Sequence, residues 1–541
     1  MRTLPIRLPV ASGEALESWL IRLATRNRIS ALQLANVLGL TQRGRRSPRR
    51  DIPAESLRRV ENQAGLAPGT LDTTVATFYQ PTGWPILPAF RFCAVCLRTP
   101  GMPWPNHWRL PYLFTCHNHR VLLRDSCPAC GKPPRLSWTH HAGLNTGNIC
   151  TTPTANRNDI CGTDLSRRPP RALAPDDPRL AAQDWIAERL QRLGGDDAIA
   201  DLRNLHVLVA WLHGEPARGT PAVAAAILRS RSLRGRQNIT RVPAATAAAL
   251  TAEILPILDG GRAGASQPTP LLLKPQGPFT NGYLHRLAAL TPDLRARALV
   301  AADRDLPTVE RLRHRTCTLT PHLADPTTND LALQRIRHVP EKLWPDWSHH
   351  LAAPTGPGPL AIAAHVAPAI LIPGSACGDL RAATQLRAWT KTTAQVLHRL
   401  ASENPGALHT ICAIADYLDT VGSPIDYQRR RHTFTDVTEP PELGRAPDDD
   451  LGRETRQLHT RRYIFALLTG ANLGSPNHAV SFRTSQDSAE YVTFEQNLDR
   501  SDQHQLRAFA ADLLQAAGIR EPLTWSPPFE EVGRLPGNEN A

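Results

Sequence analysis

The chain has 541 residues, a net charge of +13 and an isoelectric point near 9.7. That length calls for several domains, and the basic balance favours a polyanionic partner, nucleic acid first among them. No apolar run reaches the roughly 18 residues that a membrane span needs, and Met1 to Pro5 lack the apolar core of a signal peptide, so a cytoplasmic, nucleoid-associated protein with reduced cysteines and no membrane contact is expected.

In chain order, Leu16, Trp19, Leu20, Leu23 and Ala24 recur on one face of a first helix. Ser30 with Gln33 three residues on is a capping-box start, and Leu34, Val37 and Leu38 give the next helix its apolar face before Gly39 ends it. Helix, short turn, helix is the outline of a helix-turn-helix, and equally of a plain core hairpin. Residues 42–50 follow, carrying Arg43, Arg45, Arg46, Arg49 and Arg50 and no acid. Guanidinium forks bind phosphate bidentately, so these five are candidate nucleic-acid contacts; a solvated loop is the alternative. A further helical pair is expected between Ala54 and Phe78, broken near Gly65 to Pro68, within an N-terminal helical region over 1–90.

The next region, 91–168, is organised by cysteine. It holds Cys93-x-x-Cys96, Cys116-x-x-His119, Cys127-x-x-Cys130, then Cys150 and Cys161. A two-residue gap lets one tight turn present both donors to a single ion, so eight soft ligands read as two structural Zn2+ sites. The simplest partition gives one ion to Cys93, Cys96, Cys116 and His119 and the other to Cys127, Cys130, Cys150 and Cys161; an interleaved arrangement remains open. Ten residues separate Cys150 from Cys161, which reads as a loop lengthened at the rim of the site. Trp108 and Trp138 are expected to complete the small cores beside the metals. Because all the ligands lie within it, this segment is expected to fold without the rest of the chain.

Glu17-Ser18-Trp19-Leu20 with Arg22-Leu23-Ala24 and Asn27, then Phe92-Cys93-x-x-Cys96, Trp108-Arg109-Leu110, Cys116-x-x-His119, Leu122-Leu123, Cys127-Pro128-x-Cys130-Gly131 and Cys161-Gly162-x-Asp164-Leu165, resemble the TniQ family over roughly residues 3–168. The resemblance implies an N-terminal helix-turn-helix portion and two zinc fingers. It implies an accessory factor of transposons that selects a DNA target, or sits on an RNA-guided complex, and recruits the transposition ATPase and transposase. The wide Cys150–Cys161 spacing departs from the family pattern.

After Pro169 to Pro178, which reads as a linker, helices are expected over 180–193, 202–212 and twice within 222–258, forming a region over 180–260. Between the last two lies a second phosphate-contact candidate, Arg229, Arg231, Arg234 and Arg236. Residues 260–278 are rich in Gly and Pro and read as a boundary. A helical or mixed region over 279–375 contains Trp344 and Trp347 as core anchors. A C-terminal helical region over 376–525 carries Arg429, Arg430 and Arg431 beside Tyr427, the third candidate nucleic-acid cluster. From Pro527 onward the chain reads as a frayed tail.

The fold class expected is mainly α and multidomain: a helix-turn-helix-like start, two small zinc modules and a long helical remainder. No enzyme is expected. His-Glu-x-x-His and Walker loops are absent, and four protein ligands leave a zinc no open position for water. The function these features favour is a DNA-binding targeting factor for transposition; a transcription regulator or RNA-binding module is the alternative.

Overall fold

The computed structural model of the protein describes residues 4–40, 52–134, 136, 148–154, 159–214, 220–232, 242–259, 281–325, 329–375, 391–443 and 452–533. Among them the regular elements are helices, and extended pairing is confined to isolated antiparallel bridges. The mainly α expectation is met. The chain divides into two compact units, Met1–Leu272 with Ala289–Thr291, and Leu273–Ala288 with Pro292–Ala541.

The first unit opens with α1 (Leu16–Arg26), α2 (Ala31–Val37) and α3 (Ala54–Ala64). The Ser30 capping box is formed in both directions: Gln33 N–H donates to Ser30 Oγ at 3.2 Å, and Ser30 N–H to Gln33 Oε1 at 2.9 Å. Leu16, Trp19, Leu20 and Leu23 meet Leu34, Ala35, Leu57 and Val60 in one core. The second helix expected after Gly65 does not form. Two 3-10 segments, Asp72–Thr74 and Ala76–Thr82, replace it, separated by Val75 in extended conformation. The β-branched run Thr73-Thr74-Val75 and Pro81 disfavour a continuous α-helix there.

Past the cysteine region come α4 (Pro178–Gln191), α5 (Asp196–Gly214), α6 (Pro221–Ser232) and α7 (Ala244–Asp259). Asp177 caps α4 and Pro178 occupies its first turn, a position where a missing N–H costs nothing. The apolar α7 packs on the other three.

The second unit contains α8 (Asn281–Ala288), α9 (Pro292–Ala302), α10 (Thr308–Arg313), α11 (Asp330–Arg335), α12 (Pro345–Leu351), α13 (Pro359–His365), α14 (Lys391–Glu403), α15 (Ala407–Thr420), α16 (Tyr427–Thr433), α17 (Arg453–Thr469), α18 (Ser485–Asn497), α19 (Arg500–Ala516) and α20 (Phe529–Gly533). Its first core surrounds α15, whose Leu408, Ile411, Ile414 and Leu418 meet Trp344, Trp347 and Ile370. A second core joins α17, α18 and α19 through Ile464, Phe465, Tyr491, Phe494, Leu506 and Leu514. The expected frayed tail is corrected through residue 533. Trp347 Nε1 donates to the Pro527 carbonyl at 2.8 Å, Tyr417 Oη to Glu531 at 2.8 Å, and the Phe529 ring lies 4.4 Å from that of Trp347. The aromatic contacts outweigh the helix-breaking Pro527-Pro528 pair.

Loops in this unit are held by buried guanidinium groups. Arg335 is 1% exposed; it pairs with both oxygens of Asp419 at 2.8 and 2.6 Å and donates to the carbonyls of Pro373 and Ile370. Arg462 does the same with Asp487, Val480 and Ser481. A buried fork with one carboxylate and several carbonyls leaves few donors unsatisfied, and removing it strands the partner charge. Arg335→Ala is therefore expected to destabilise the second unit by about 3–5 kcal/mol, read as a lowered urea midpoint for the transition of that unit. An unchanged midpoint would show that the fork contributes nothing net.

Candidate metal centres

The sequence between Ala15 and Ala172 positions two donor quartets. Cys93 and Cys96 sit on a tight turn that runs into a 3-10 segment at Cys96–Arg98. Cys116 and His119 sit on another, closed by the Arg120 N–H donating to the Cys116 carbonyl at 2.8 Å. Bridges Phe92↔Arg124 and Thr115↔Leu122 bring the two turns together. His119 Nδ1 then lies 3.7 Å from Cys93 Sγ, 3.3 Å from Cys96 Sγ and 3.4 Å from Cys116 Sγ, and Cys96 and Cys116 sulfurs are 3.6 Å apart. A tetrahedron with Zn–S of ~2.3 Å and Zn–N of ~2.0 Å has edges of roughly 3.5–3.8 Å, so the donor set fits zinc. The sulfur separation excludes a disulfide, whose S–S bond is ~2.05 Å.

The second quartet is Cys127, Cys130, Cys150 and Cys161, with Cys127–Cys161 and Cys130–Cys150 sulfur pairs each at 3.8 Å. Cys127-x-x-Cys130 closes as the first turn did, the Gly131 N–H donating to the Cys127 carbonyl at 3.0 Å. The described residues at the two ends of the long gap pair antiparallel. Bridges Ile149↔Asp164 and Pro153↔Ile160, with Cys150 N–H to Thr163 O at 2.8 Å and Cys161 N–H to Thr152 O at 3.0 Å, set Cys150 and Cys161 side by side on opposite strands. Strand pairing thus does for this pair what a two-residue gap does for the others.

All four donor atoms of each quartet lie within 4.8 Å of one another, and both groups can hold a metal ion. The noninterleaved partition is the one formed. In the first, hydrogen bonding with Cys116 pulls the Cys93 thiol down and pushes that of Cys96 up. In the second, the Thr163 hydroxyl lowers Cys161 to about 7, while burial raises Cys150 to about 12. Thiolates so close repel, and a divalent cation is what would bring all of them to the charged state together.

The helical start is bolted to the first quartet. Buried Glu14 accepts from Ser18 Oγ at 2.8 Å and Arg22 at 2.6 Å, and Ser18 Oγ accepts from the Trp104 N–H at 3.0 Å. Arg109 pairs with Glu17 at 2.6 Å. Trp104 and Trp108 stack edge-on, centroids 5.7 Å apart, in the core that holds the ligands. Trp108 is core as expected, and Trp138 lies outside the described residues.

The segment is not closed on itself, however, and these contacts bear on the expectation that it folds alone. Arg91, 1% exposed, donates to the carbonyls of Pro111 and Leu113 and, across to the segment before α7, to Val242 at 2.8 Å. Its carboxylate partner Asp125 also accepts from Ala244 N–H at 2.8 Å. Gln183 Oε1 on α4 accepts from both Phe114 and Thr115 N–H, and Trp84 Nε1 donates to Leu202 O on α5 at 2.7 Å. Sequence reading missed this arginine because its partners lie up to 151 residues away.

The candidate nucleic-acid contacts fare unevenly. Arg43, Arg45, Arg46, Arg49 and Arg50 lie outside the described residues, as do Arg234 and Arg236. Arg229 and Arg231 lie on α6, whose last side chains are likewise outside them. The third cluster is corrected. Arg430 is fully buried, pairing with Glu521 at 2.7 Å and donating to the carbonyls of Pro522 and Leu523. Arg431 is half-buried and donates to Ile336 O at 3.1 Å, and only Arg429 is exposed, paired with the same Glu521. Glu521 and the carbonyls outcompete a solvent phosphate for these forks.

The first unit thus joins a short helical start to a four-donor cluster that could hold a metal ion. The family model that matches is TniQ, over residues 5–123, about a fifth of the length, so the chain carries a TniQ domain, the mark of transposition-associated targeting proteins. The first quartet lies inside that match and the second beyond it. No curated protein and no solved structure matches the chain.

Purified protein is expected to carry two zinc ions. Cys96→Ser and Cys130→Ser should each lose one, with much of the metal's contribution to local folding, on the order of 10 kcal/mol. Elemental analysis and limited proteolysis read both; full zinc content in either variant would refute the assignment. A fragment ending at residue 171 is expected to aggregate, whereas one ending at 259 should fold with both metals, because α4, α5 and α7 cover Arg91, Tyr112 and Trp84. Equal solubility and zinc content of the two fragments would contradict that.

Proposed function

We propose that the protein is a DNA-binding targeting factor for transposition, which recognises a target site and recruits the transposition ATPase and transposase. The observation that carries this reading is the TniQ match over residues 5–123, which contains the helical start and the complete first donor quartet. Zinc in both quartets is structural: Cys93, Cys96, Cys116 and His119, and Cys127, Cys130, Cys150 and Cys161, saturate a tetrahedral ion and leave no position for a catalytic water. No described helix is long and apolar enough to cross a membrane. The net charge of +13 supplies the long-range attraction.

The test is sequencing of the genomic fragments retained by purified, zinc-loaded protein. One enriched site, bound with an affinity that falls by about 0.9 log units per log unit of salt for each phosphate engaged, is the expected result. Retention of RNA in preference to DNA, or a flat salt response, would replace this reading with that of an RNA-binding module or a protein-only adaptor.

A further inference from the structure

Downstream of the second quartet the chain does not depart as a linker. It doubles back along the first metal turn: Val121 and Ala172 form an antiparallel bridge, and Leu173 N–H donates to the Arg120 carbonyl at 2.9 Å. Arg124 donates to the carbonyls of Arg167, at 3.3 Å, and Arg168. This return sets the segment of Arg120 and Arg124 beside that of Arg167, Arg168 and Arg171; all but the half-buried Arg124 are exposed, and Arg120 reaches the Pro175 carbonyl at 3.4 Å.

The acids nearby are engaged elsewhere. Asp125 is turned inward to Arg91 and Ala244 N–H, and Asp177 is held by Arg179. Asp164 accepts from the backbone and hydroxyl of Ser166 and lies 3.9 Å from Arg167, a contact at the surface that is worth little. Asp176 forms no ion pair with any of the five.

Backbone conformation adds a second, independent sign. Two of the three metal turns, Cys116–His119 and Cys127–Cys130, are built alike, and the residue after the second ligand is left-handed in both: Arg120 at φ +50 in the first of the two and Gly131 at φ +67 in the second, whereas Leu97 after Cys93–Cys96 continues a 3-10 segment. Glycine is the residue that takes this conformation without a steric cost. The second turn uses it, with nothing within 4 Å of a Cβ built there; the first carries an arginine instead. Arg168, whose carbonyl accepts from Arg124, is left-handed as well, at φ +52. Such strain in bulky side chains collects at functional surfaces.

We propose that Arg120, Arg167, Arg168 and Arg171 form a phosphodiester-binding site beside the first metal centre, with Arg124 tying the two chain segments that carry them. The inference rests on the reading of the protein as a DNA-binding factor and locates a backbone contact for it. Planar forks on a backbone fixed by metal turn and bridge suit phosphate oxygens. An acidic protein partner would call for an apolar anchor, and none of the exposed large hydrophobic residues falls within 116–134 or 164–175. Contacts of this kind set register on the nucleic acid and do not choose its sequence.

The test compares full-length, zinc-loaded wild type, Arg168→Gln/Arg171→Gln and Arg120→Gly for binding to a labelled mixed-sequence DNA duplex, a single-stranded RNA and polyglutamate across a salt series. The double variant should lower the slope of log affinity against log salt by about 2, equally for different duplex sequences, and Arg120→Gly by about 1. Arg120→Gly should also melt at a higher temperature with unchanged zinc content, since it relieves the left-handed strain; a gain in stability without loss of affinity would mean that the arginine serves no ligand. Wild type that binds duplex while both variants bind equally well overturns the site and leaves the targeting reading intact. Binding of RNA but not duplex, weakened by the variants, keeps the site and overturns the targeting reading. Variants that lose polyglutamate alone assign the face to an acidic protein and overturn the proposal.

Discussion

Four soft donors within 4.8 Å cannot all be charged and buried without a cation among them. That constraint governs the first unit. The turns at Cys93–Cys96, Cys116–His119 and Cys127–Cys130 are too short to bury a core of their own, and the antiparallel pairing within 149–164 joins only a few residues. A metal ion, which both quartets could hold, would give these pieces a reason to be close, and Trp104 and Trp108 fill the space beside the donors. The second unit meets the same difficulty, long irregular segments with backbone carbonyls to satisfy, by a different cation. Arg335, Arg430 and Arg462 each take one carboxylate and two or more carbonyls into the interior. Arg91 with Asp125 shows the first unit using both devices.

The residues that carry the TniQ resemblance turn out to be those that join α1 to the first metal turn. Trp19 is fully buried and donates to Leu8 O; Ser18 links Glu14 to Trp104; Glu17 pairs with Arg109. In this chain these motif residues hold the helix pair against the segment that carries the first donor quartet.

This explains what was legible in the sequence. Donor spacing predicted both quartets, and Ser30 with Gln33 predicted a helix start, because each signal is local: a turn or a cap needs only its own few residues. What failed was non-local. Residues 429–431 read as a basic cluster, yet Glu521, ninety residues on, draws Arg430 wholly inside. Arg91 gave no signal at all. The second helix expected between the break at Gly65 to Pro68 and Phe78 forms instead as 3-10 segments. The run from Pro169 to Pro178 read as a linker because prolines break helices, but Ala172 only needed an extended backbone to pair with Val121, and proline on either side allows that. A charge run reveals its use only when the fold shows which carboxylates can reach it.

The closing segment of the second unit has a consequence for how the chain is made. Glu521, Pro527, Phe529 and Glu531 contribute to cores built around Arg430, Trp347 and Tyr417, residues translated long before them. During synthesis the helices of the first unit are all present once residue 259 has been made, while the contacts of Thr291 with Asn204 are still to come. The second must wait, with Trp344, Trp347 and the buried face of α15 uncovered, until residue 533 has emerged from the ribosome. Vectorial synthesis therefore divides the protein into an early-folding, metal-dependent half and a late-folding half that is exposed to chaperones and proteases throughout its translation.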